Sequence, residues 1–506
     1  MSEKLNLSPD FLAACDLVEN TSHHVFVTGK AGSGKSTWLE YCRHHSAKNI
    51  VVTAPTGVAA LNVHGQTIHR FFGFPINISV EKIISREFSP RAKRIYQKLQ
   101  TLIIDEVSML RADILDCIDA FLRLYGPVSG VPFGGVQMVF VGDLYQLPPV
   151  ITKTEEPLFY QKYPSPYFFS AHVFKSIPLQ VVELTTVFRQ KDPEFIALLD
   201  RIRRNMLAPQ DLATLNQRLH TAAADDDFRI SLTTLNHLAD EINHQQMAQL
   251  PGQLYSSQAV IDGSFSAESY PAAENLEFKL GAQIMFLNND SKNRWVNGSI
   301  GHIENLTLRD GKLKHLRVRL QEDRRLVEVF PYSWEIYKYT LQGTEIIEEV
   351  AGSFTQFPFR PAWAVTIHKS QGKTFDKVEI DVGRGAFATG QLYVALSRCT
   401  SLNGISLKKA VRASDVFVDQ RVVGFMRQYC ALTLDEQQDK AAFFAAAIPQ
   451  RLKLKITYQK PDGTISPRII IPLHIKGGNL LAFCTQRQEQ RTFCLERIKT
   501  AQEVKE

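Results

Sequence analysis

A glycine-rich segment near the N-terminus ends in a lysine and a serine, a combination suited to binding nucleotide phosphates. The motif G-x-x-x-x-G-K-[ST] is satisfied by Gly29, Lys30, Ala31, Gly32, Ser33, Gly34, Lys35 and Ser36. The glycines let backbone N–H groups approach phosphate oxygens, Lys35 can balance phosphate charge, and Ser36 can ligate Mg²⁺. An apolar run (25–27) precedes the motif and a helical pattern that includes Thr37 follows it. This order predicts a strand, phosphate loop and helix that bind a nucleoside triphosphate and Mg²⁺.

Two adjacent carboxylates, Asp105 and Glu106, follow the apolar run at 102–104. At the end of a buried strand, Asp105 can hold the Mg²⁺ shell, and Glu106 can orient and deprotonate an attacking water. An acidic pair in such a place is often only a helix cap. Together with the glycine-rich segment, however, the pair predicts a hydrolytic site.

A third polar segment, at 142–150, ends another apolar run in a turn stiffened by Pro148 and Pro149. Such a turn can hold Gln146 against a γ-phosphate and report its loss. From physical chemistry alone, a purely structural turn is the favoured alternative.

Short apolar runs that alternate with helical patterns must position these residues. Runs without polar interruption are typical of parallel strands covered on both faces, so the first part of the chain predicts an α/β sheet. Residues from about 252 to 357 predict short strands separated by glycines, without helices between them. From Ala362 to about Leu432, apolar runs again alternate with helical patterns. A helical connector is predicted over 435–447. Strands then return from Lys453, with a turn at Pro461, Asp462 and Gly463.

The composition limits the classes of protein that fit. At 506 residues and 44% hydrophobic, the chain predicts several domains. No apolar run approaches the roughly 20 residues that cross a bilayer, so we expect a soluble, cytoplasmic monomer without a membrane partner. The seven cysteines are scattered and fit neither a disulfide framework nor a zinc module. Residues 451–500 contain ten Lys and Arg against three Asp and Glu. This positive balance predicts a binding surface for a polyanion, and a basic surface that is only solvated is the alternative.

Seven segments carry a family resemblance, and they are residues 29–36, 54–61, 105–109, 142–149, 188–190, 366–374 and 393–398. They resemble, in order, the motifs of the Pif/RecD-like branch of superfamily 1 helicases, over about residues 20–410. The resemblance implies an α/β fold of tandem RecA-like P-loop NTPase domains with an SH3-like β insertion, and a small C-terminal β-barrel is expected beyond them. The expected parts are a first RecA-like domain (1–186), a second (187–251 and 358–432), the insertion (252–357), a linker (433–450) and the barrel (451–500).

The same resemblance implies roles for individual residues. Arg189 and Arg398 are similar to the arginines that reach across the interdomain cleft to the γ-phosphate, and Gly372 is expected beside the nucleotide. The expected contacts to DNA are Thr56, Gly57, His64 and His69 in the first domain, and Thr366, His368 and Lys369 in the second. Each histidine alone is more often a core or cap residue.

Three further expectations follow from the resemblance. A duplex-splitting wedge would fall near 72–94, a stretch that includes Arg86, Arg91, Lys93 and Arg94. The His-Lys-Ser-Gln-Gly signature implies 5′→3′ movement. The adenine-reading glutamine of the family is missing after Leu5 and Asn6, so the resemblance does not predict selectivity for ATP over other nucleotides.

The terminal segment at about 452–498 is similar to WYL domains, in which exposed arginines bind nucleic acid or a nucleotide-like ligand. Arg468, Arg487 and Arg491 are the matching residues, while Gly478 and Asn479 replace the namesake Trp and Tyr. A passive barrel that only packs against the motor is the alternative.

Three functions remain compatible with these residues. The leading one is an ATP- and Mg²⁺-dependent DNA helicase that moves 5′→3′ on single-stranded DNA and unwinds tailed duplex. The second is a translocase that displaces proteins from DNA without unwinding it. The third is an ATPase switch that responds to a nucleotide or single strand bound by the terminal domain.

Overall fold

The first part of the chain folds around a six-stranded sheet in this computed structural model. Its strands are β1 (His24–Gly29), β2 (Ile50–Ala54), β3 (Gln66–Thr67), β4 (Thr101–Ile104), β5 (Gln137–Val141) and β6 (Leu179–Leu184). Its helices are α1 (Pro9–Asn20), α2 (Lys35–His45), α3 (Gly57–Asn62), α4 (Ile68–Phe72), α5 (Val80–Ile84), α6 (Lys93–Lys98), α7 (Ala112–Tyr125) and α8 (Glu156–Lys162). The strand order is β3-β2-β4-β5-β1-β6.

The central strands of this sheet are parallel, and β4 and β5 are buried along their whole length. Burial on both faces explains why their sequences lack the polar alternation of a one-sided strand. The phosphate loop follows the carboxyl end of β1, and Asp105 and Glu106 follow the carboxyl end of β4. Because these strands are parallel, both segments lie at the same end of the sheet.

The described residues of the next part of the chain form four α-helices and fourteen strands. The helices are α9 (Pro193–Arg203), α10 (Pro209–Asn216), α11 (Asn236–Gln249) and α12 (Gln391–Leu396). The strands are β7 (Ile230–Thr233), β8 (Tyr255–Gln258), β9 (Val260–Gly263), β10 (Asn275–Phe278), β11 (Gln283–Phe286), β12 (Ile300–Arg309), β13 (Lys312–Leu320), β14 (Leu326–Val329), β15 (Tyr332–Gln342), β16 (Glu345–Gln356), β17 (Phe359–Pro361), β18 (Ala364–Thr366), β19 (Val378–Asp381) and β20 (Ile405–Leu407).

A second parallel sheet has the order β18-β7-β19-β20. Because β7 and β18 are neighbours, the chain leaves this sheet after α11 and returns to it at Ala364. The inserted segment between them, called the β excursion below, comprises β8 to β17. It forms three antiparallel sheets, ordered β14-β13-β12-β11-β17, β15-β16-β9 and β10-β8. Two α/β sheets and an all-β excursion confirm the predicted fold class.

The long β15–β16 hairpin of the excursion packs against the first sheet. The Tyr339 hydroxyl donates to the Val52 carbonyl at 3.1 Å and accepts from the Val52 N–H at 3.0 Å. Gln66 donates to the Tyr337 carbonyl at 2.8 Å, and Arg43 pairs with Glu348. The hairpin thus completes the wall of a groove beside the first sheet.

The chain divides into two compact units, Met1–Leu179 with Leu184–Phe417, and Gln180–Glu183 with Val418–Glu506. The second unit contains α13 (Gln420–Tyr429), β21 (Leu432–Thr433), α14 (Gln437–Ala447), β22 (Leu454–Gln459), β23 (Ile465–Lys476), β24 (Asn479–Cys484), β25 (Glu489–Cys494) and β26 (Ile498–Glu503). Its sheet has the antiparallel order β21-β26-β22-β23-β24-β25.

Helix α14 falls in the segment expected to be a linker (433–450), but it forms part of the core of this second unit. Phe443, Phe444 and Ala447 are buried in the same cluster as Leu454 and Ile456. The charged-to-alanine composition suggested a connector. Burial of two adjacent phenylalanines instead stabilises the packing of the helix against the sheet, because each phenylalanine removes a large apolar area from water.

The structure describes residues 7–75, 77–88, 90, 93–221, 229–309, 312–383, 388–429, 432–433, 437–449, 451–460 and 464–504. The expected turn at Pro461, Asp462 and Gly463, Arg91 of the expected wedge, Leu5 and Asn6 lie outside these residues. No helix within the described ranges is long and apolar enough to cross a membrane. Six cysteines are described, and all of them are free thiols.

Candidate functional site

The phosphate loop connects β1 to α2, as its motif predicted. The Lys35 ammonium donates to the carbonyls of Gly29 at 2.8 Å and Lys30 at 3.0 Å, which folds its side chain back along the loop. Ser36 and Thr37 are exposed on the first turn of α2. The first N–H groups of a helix have no partner within the helix, so this turn presents donors for an anion.

The two carboxylates at the end of β4 lie beside Lys35. Burial and the neighbouring Glu106 raise the pKa of Asp105 to about 7. Burial also raises the pKa of Glu106, while Lys35 and Arg398 oppose that rise. Two adjacent carboxylates, of which Asp105 is buried, therefore favour a cation that would neutralise them.

Glu106 adopts a left-handed backbone conformation, with φ of 49° and ψ of 44°. A residue with a side chain is strained there by roughly 1–2 kcal/mol, and such strain concentrates at functional sites. The Gln371 side chain donates to Glu106 Oε2 at 3.0 Å and to Gln146 Oε1 at 3.2 Å. Gln371 thus joins two of the predicted catalytic side chains of the first domain to the loop of the second domain that carries Gly372. Gly372 adopts a φ of +80°, and the position of its absent Cβ faces open space.

Arg189 and Arg398 meet at the opposite wall of the same cleft. The Arg398 guanidinium donates to the Val394 carbonyl at 3.0 Å and the Ser397 hydroxyl at 2.9 Å, and Arg189 donates to the Ser397 carbonyl at 3.3 Å. Within the described chain, neither guanidinium forms an ion pair with a carboxylate. Burial and the charge of Arg189 lower the pKa of Arg398 to about 9. Two neighbouring guanidiniums that repel each other favour a polyanion between them.

Close packing brings Arg189 directly against the phosphate loop. Gly32 has a φ of +79°, and a Cβ at this position would lie 2.5 Å from the Arg189 Cβ. The Phe188 N–H also donates to the Gly32 carbonyl at 2.9 Å. The loop glycine is therefore required by the approach of the second domain as well as by its own turn.

Phe188 lies in the motif segment 188–190, but the sequence did not predict a role for its side chain. Its side chain is 55% exposed, although it is a large apolar ring. A Cβ at Gly34, with φ of +85°, would lie 3.4 Å from this ring. The ring therefore lies at the phosphate loop with much of its surface free. Its place next to Arg189 was the only sequence signal that could have drawn attention to it.

The residues of the cleft fit a nucleoside triphosphate and Mg²⁺. The Ser33 hydroxyl is buried without a hydrogen-bond partner among the described residues. Because buried polar groups are usually hydrogen-bonded, this hydroxyl indicates that a polar ligand binds at the loop. No group of three or more His, Cys, Asp or Glu in the described chain could hold a metal by itself. Mg²⁺ in protein sites is usually bound by one or two side chains plus substrate phosphates and water. Ser36 and Asp105 are the residues that would hold it.

A groove of about 940 Å³ lies between the first sheet and the β excursion. Two of the predicted DNA contacts, Gly57 and His69, line it together with Arg70, Tyr337 and a run of small polar residues from the excursion. Thr56 caps α3 by accepting from the Ala59 N–H at 3.2 Å. The His64 ring is 6.4 Å from that of Tyr337, so His64 lies at the margin of the groove rather than in its lining.

The three predicted DNA contacts of the second domain do not line this groove. Thr366 is buried at the end of β18, and its hydroxyl accepts from the Lys369 N–H at 3.3 Å. His368 and Lys369 are exposed. Of the three, His368 and Lys369 are therefore the ones accessible to a ligand.

The terminal unit brings two of its three predicted arginines to one face of its sheet. Ile470 pairs with Cys484 and Ala482 pairs with Arg491, and alternation along β23 places Arg468 on the same face. Arg487 lies in the turn between β24 and β25 and is exposed. Arg491 pairs with Glu489 at 3.5 Å.

A phosphate loop on one parallel sheet that faces Arg189, in the segment between β6 and α9, and Arg398, after α12, defines a P-loop nucleoside triphosphatase with paired α/β domains. The profile of the "PIF1-like helicase" family matches residues 11–206. The "ATP-dependent DNA helicase Pif1" of Bdellovibrio bacteriovorus is 31% identical over 84% of this chain and 93% of its own length. The chain belongs to the PIF1-like helicase family, and the prediction of a helicase-type enzyme is confirmed.

Solved structures agree with this assignment. Bacteroides sp Pif1 in complex with ADP-AlF4 is 39% identical, with a TM-score of 0.78 over 84% of this chain and 97% of that chain. Bacteroides Pif1 bound to ssDNA is also 39% identical over the same shares, with a TM-score of 0.60.

The rat ATP-dependent DNA helicase PIF1 is 32% identical over 87% of this chain, which spans 67% of that protein. For the human protein the spanned share is 64%. The "WYL domain" profile matches residues 442–503, which confirms the predicted terminal resemblance.

Proposed function

We propose that this chain is an ATP-dependent DNA helicase that moves 5′→3′ along single-stranded DNA and unwinds duplex. The observation that carries the proposal is the cleft in which Lys35, Asp105 and Glu106 face Arg189 and Arg398. Closure of this cleft on a triphosphate, and its opening after hydrolysis, would shift one domain relative to the other. A motor needs that motion together with a nucleic-acid contact on each domain.

Each side chain of the cleft has a distinct role in this proposal. Lys35 and backbone N–H groups of the loop and the first turn of α2 hold the phosphates, other than the Ala31 N–H, which donates to Tyr393. Ser36 and Asp105 hold Mg²⁺. When bound, Mg²⁺ would neutralise charge on the phosphates and template their orientation. Glu106 orients the attacking water and takes its proton, and Gln146 senses the γ-phosphate.

The second domain completes the site. Arg189 and Arg398 stabilise the charge that develops on the transferred phosphoryl group, as arginine fingers do. Gly372 leaves room beside the nucleotide. Phe188 offers a face on which a base can stack, a contact that tolerates any nucleobase and suits a chain without the family's adenine-reading glutamine.

The groove beside the first sheet is the proposed path of the single strand. Gly57 and the serines at its margin permit close approach to phosphates, while His69 and Tyr337 offer rings for stacking. Thr56 and His64 flank this path. Thr366, His368 and Lys369 would supply the contact on the second domain. The Bacteroides Pif1 structure bound to ssDNA supports a nucleic-acid ligand for a chain of this fold.

Unwinding of a panel of substrates tests the proposal directly. We expect strand separation of duplexes with a 5′ single-stranded tail, and none of blunt or 3′-tailed duplexes at equal enzyme concentration. Preference for the 3′-tailed substrate would refute the polarity. ATP hydrolysis stimulated by DNA without separation of any substrate would instead favour the protein-displacing translocase.

The terminal unit is proposed to bind a nucleotide or single strand through Arg468, Arg487 and Arg491. The positive balance of residues 451–500 supports an anionic ligand. Arg468→Ala with Arg491→Ala should weaken binding of an oligo(dT) probe without changing the ATPase activity measured without DNA. Unchanged oligo(dT) affinity would favour a passive module.

A further inference from the structure

A buried ion pair joins the two α/β domains beside the phosphate loop. Asp143 follows β5 of the first sheet, and Arg203 ends α9, which precedes the second sheet. Their side chains are nearly inaccessible, with Arg203 2% and Asp143 1% exposed. Arg203 donates to Asp143 Oδ1 from Nε at 3.2 Å and from a terminal nitrogen at 3.0 Å. Burying two charges costs several kcal/mol unless further hydrogen bonds offset it, so the surroundings of the pair are informative.

The Tyr393 hydroxyl links this ion pair to the phosphate loop. It donates to Asp143 Oδ2 at 3.2 Å and accepts from the Ala31 N–H at 2.9 Å. Burial raises the pKa of Tyr393, so the hydroxyl keeps its proton and can make both bonds at once. A single atom of α12 therefore contacts two separate segments of the first domain.

A second contact joins the same helix α9 to the loop. Lys30 pairs with Asp200 at 3.2 Å, and the Arg203 guanidinium lies 4.5 Å from the centre of the Tyr145 ring. Asp200 and Arg203 are nearly one helical turn apart, so they present the same face of α9 to the first domain.

The network continues to the hydrolytic carboxylate. Asp143 Oδ1 also accepts from the Tyr145 N–H at 3.2 Å, which fixes the turn that carries Gln146. Gln146 in turn accepts from Gln371, and Gln371 also donates to Glu106. Hydrogen bonds thus run from the phosphate loop through Tyr393, Asp143 and its turn to Glu106. They cross between the domains at Tyr393 and again at Gln371.

We propose that Arg203 and Tyr393 are positioning residues that couple nucleotide binding to the DNA contacts of the second domain. This inference rests on the proposed function. Neither side chain touches the reacting atoms in this proposal. They hold the phosphate loop, the Gln146 turn and the second domain in one arrangement. A movement of the loop when phosphates bind would therefore also move α9 and α12. Reciprocally, DNA held by the second domain alters the nucleotide site.

Tyr393→Phe removes only the shared hydroxyl and keeps the buried ring. We expect the variant to bind a fluorescent non-hydrolysable ATP analogue within about threefold of wild type when DNA is absent. Energetic coupling between sites is typically about 5–150-fold. Stimulation of ATP turnover by oligo(dT), and the effect of oligo(dT) on affinity for the analogue, should therefore fall several-fold toward no effect.

Tyr96→Phe is a matched control. Tyr96 is also buried, and its hydroxyl donates to the Phe71 carbonyl at 2.8 Å within the first domain. Its loss should cost similar stability but leave the response to oligo(dT) at the wild-type value. Arg203→Lys keeps the charge next to Asp143 but cannot present the planar fork of donors, so it should reduce the coupling in the same direction as Tyr393→Phe.

The outcomes separate this inference from the function on which it rests. Wild-type enzyme that shows no response to oligo(dT) would refute both. A wild-type response retained in full by Tyr393→Phe, or lost equally in Tyr96→Phe, would refute the coupling role and leave the helicase proposal intact.

Discussion

Replacement of Arg398 by methionine should make the nucleotide-free enzyme more stable while nearly abolishing its turnover. Arg398 is 1% exposed, and burial and the charge of Arg189 lower its pKa from 12.5 to about 9. At 1.36 kcal/mol per pKa unit, keeping this guanidinium charged inside the protein costs about 5 kcal/mol. Its two hydrogen bonds, to Val394 and Ser397, return about 1 kcal/mol each. Methionine also fills much of the same volume.

The expected net gain is at most about 2–3 kcal/mol, and 1 kcal/mol moves the thermal midpoint of a domain of 150–250 residues by about 2–4 °C. The thermal midpoint without nucleotide should therefore rise by a few degrees. The turnover number should fall by at least about 10³-fold, the effect of losing an arginine finger. Arg398→Lys is the control, because it keeps a buried cation and should gain no stability.

Differential scanning calorimetry with and without an ATP analogue measures the first effect, and steady-state ATPase assays measure the second. The analogue should raise the midpoint of wild type by more than that of Arg398→Met, since only wild type has the cation that the phosphates would neutralise. A methionine variant with a clearly lower midpoint in the absence of nucleotide would show that Arg398 is a structural residue and refute this reasoning.

Three further results are expected. Lys35→Ala should abolish hydrolysis, whereas Glu106→Gln should retain nucleotide binding and slow turnover by about 10²–10⁴-fold in single-turnover assays; equal turnover in both variants would contradict the assigned site. Phe188→Ala should raise the KM for ATP several-fold with little change in kcat, and an unchanged KM would exclude a base contact. Burial and the charge of Arg360 lower the pKa of Lys373 in the folded protein to about 7. Between about pH 7 and pH 10, Lys373 is therefore protonated in the unfolded chain but largely neutral in the folded protein. Stability should therefore rise with pH across this window, and urea titrations of Lys373→Met should show a flatter rise than those of wild type.

Local patterns were enough to identify the chemistry of the first domain. The phosphate loop, the Asp105 and Glu106 pair and the Gln146 turn each combine a strand end with a short motif, so neighbours along the chain determine their geometry. The uninterrupted apolar runs at β4 and β5 likewise predicted parallel strands, because burial on both faces leaves no polar position.

Contacts between distant residues were decided only by tertiary packing. Ala31 and Tyr393 are 362 positions apart, and no local pattern indicates that one hydroxyl would join the phosphate loop to Asp143. The same holds for Phe188 over Gly34, for Arg203 against Asp143, and for the phenylalanines of α14 in a core rather than a linker. Motif spacing determines which groups a strand or helix end carries. Which groups meet across a cleft depends on how whole sheets pack, and that is a property of the complete fold.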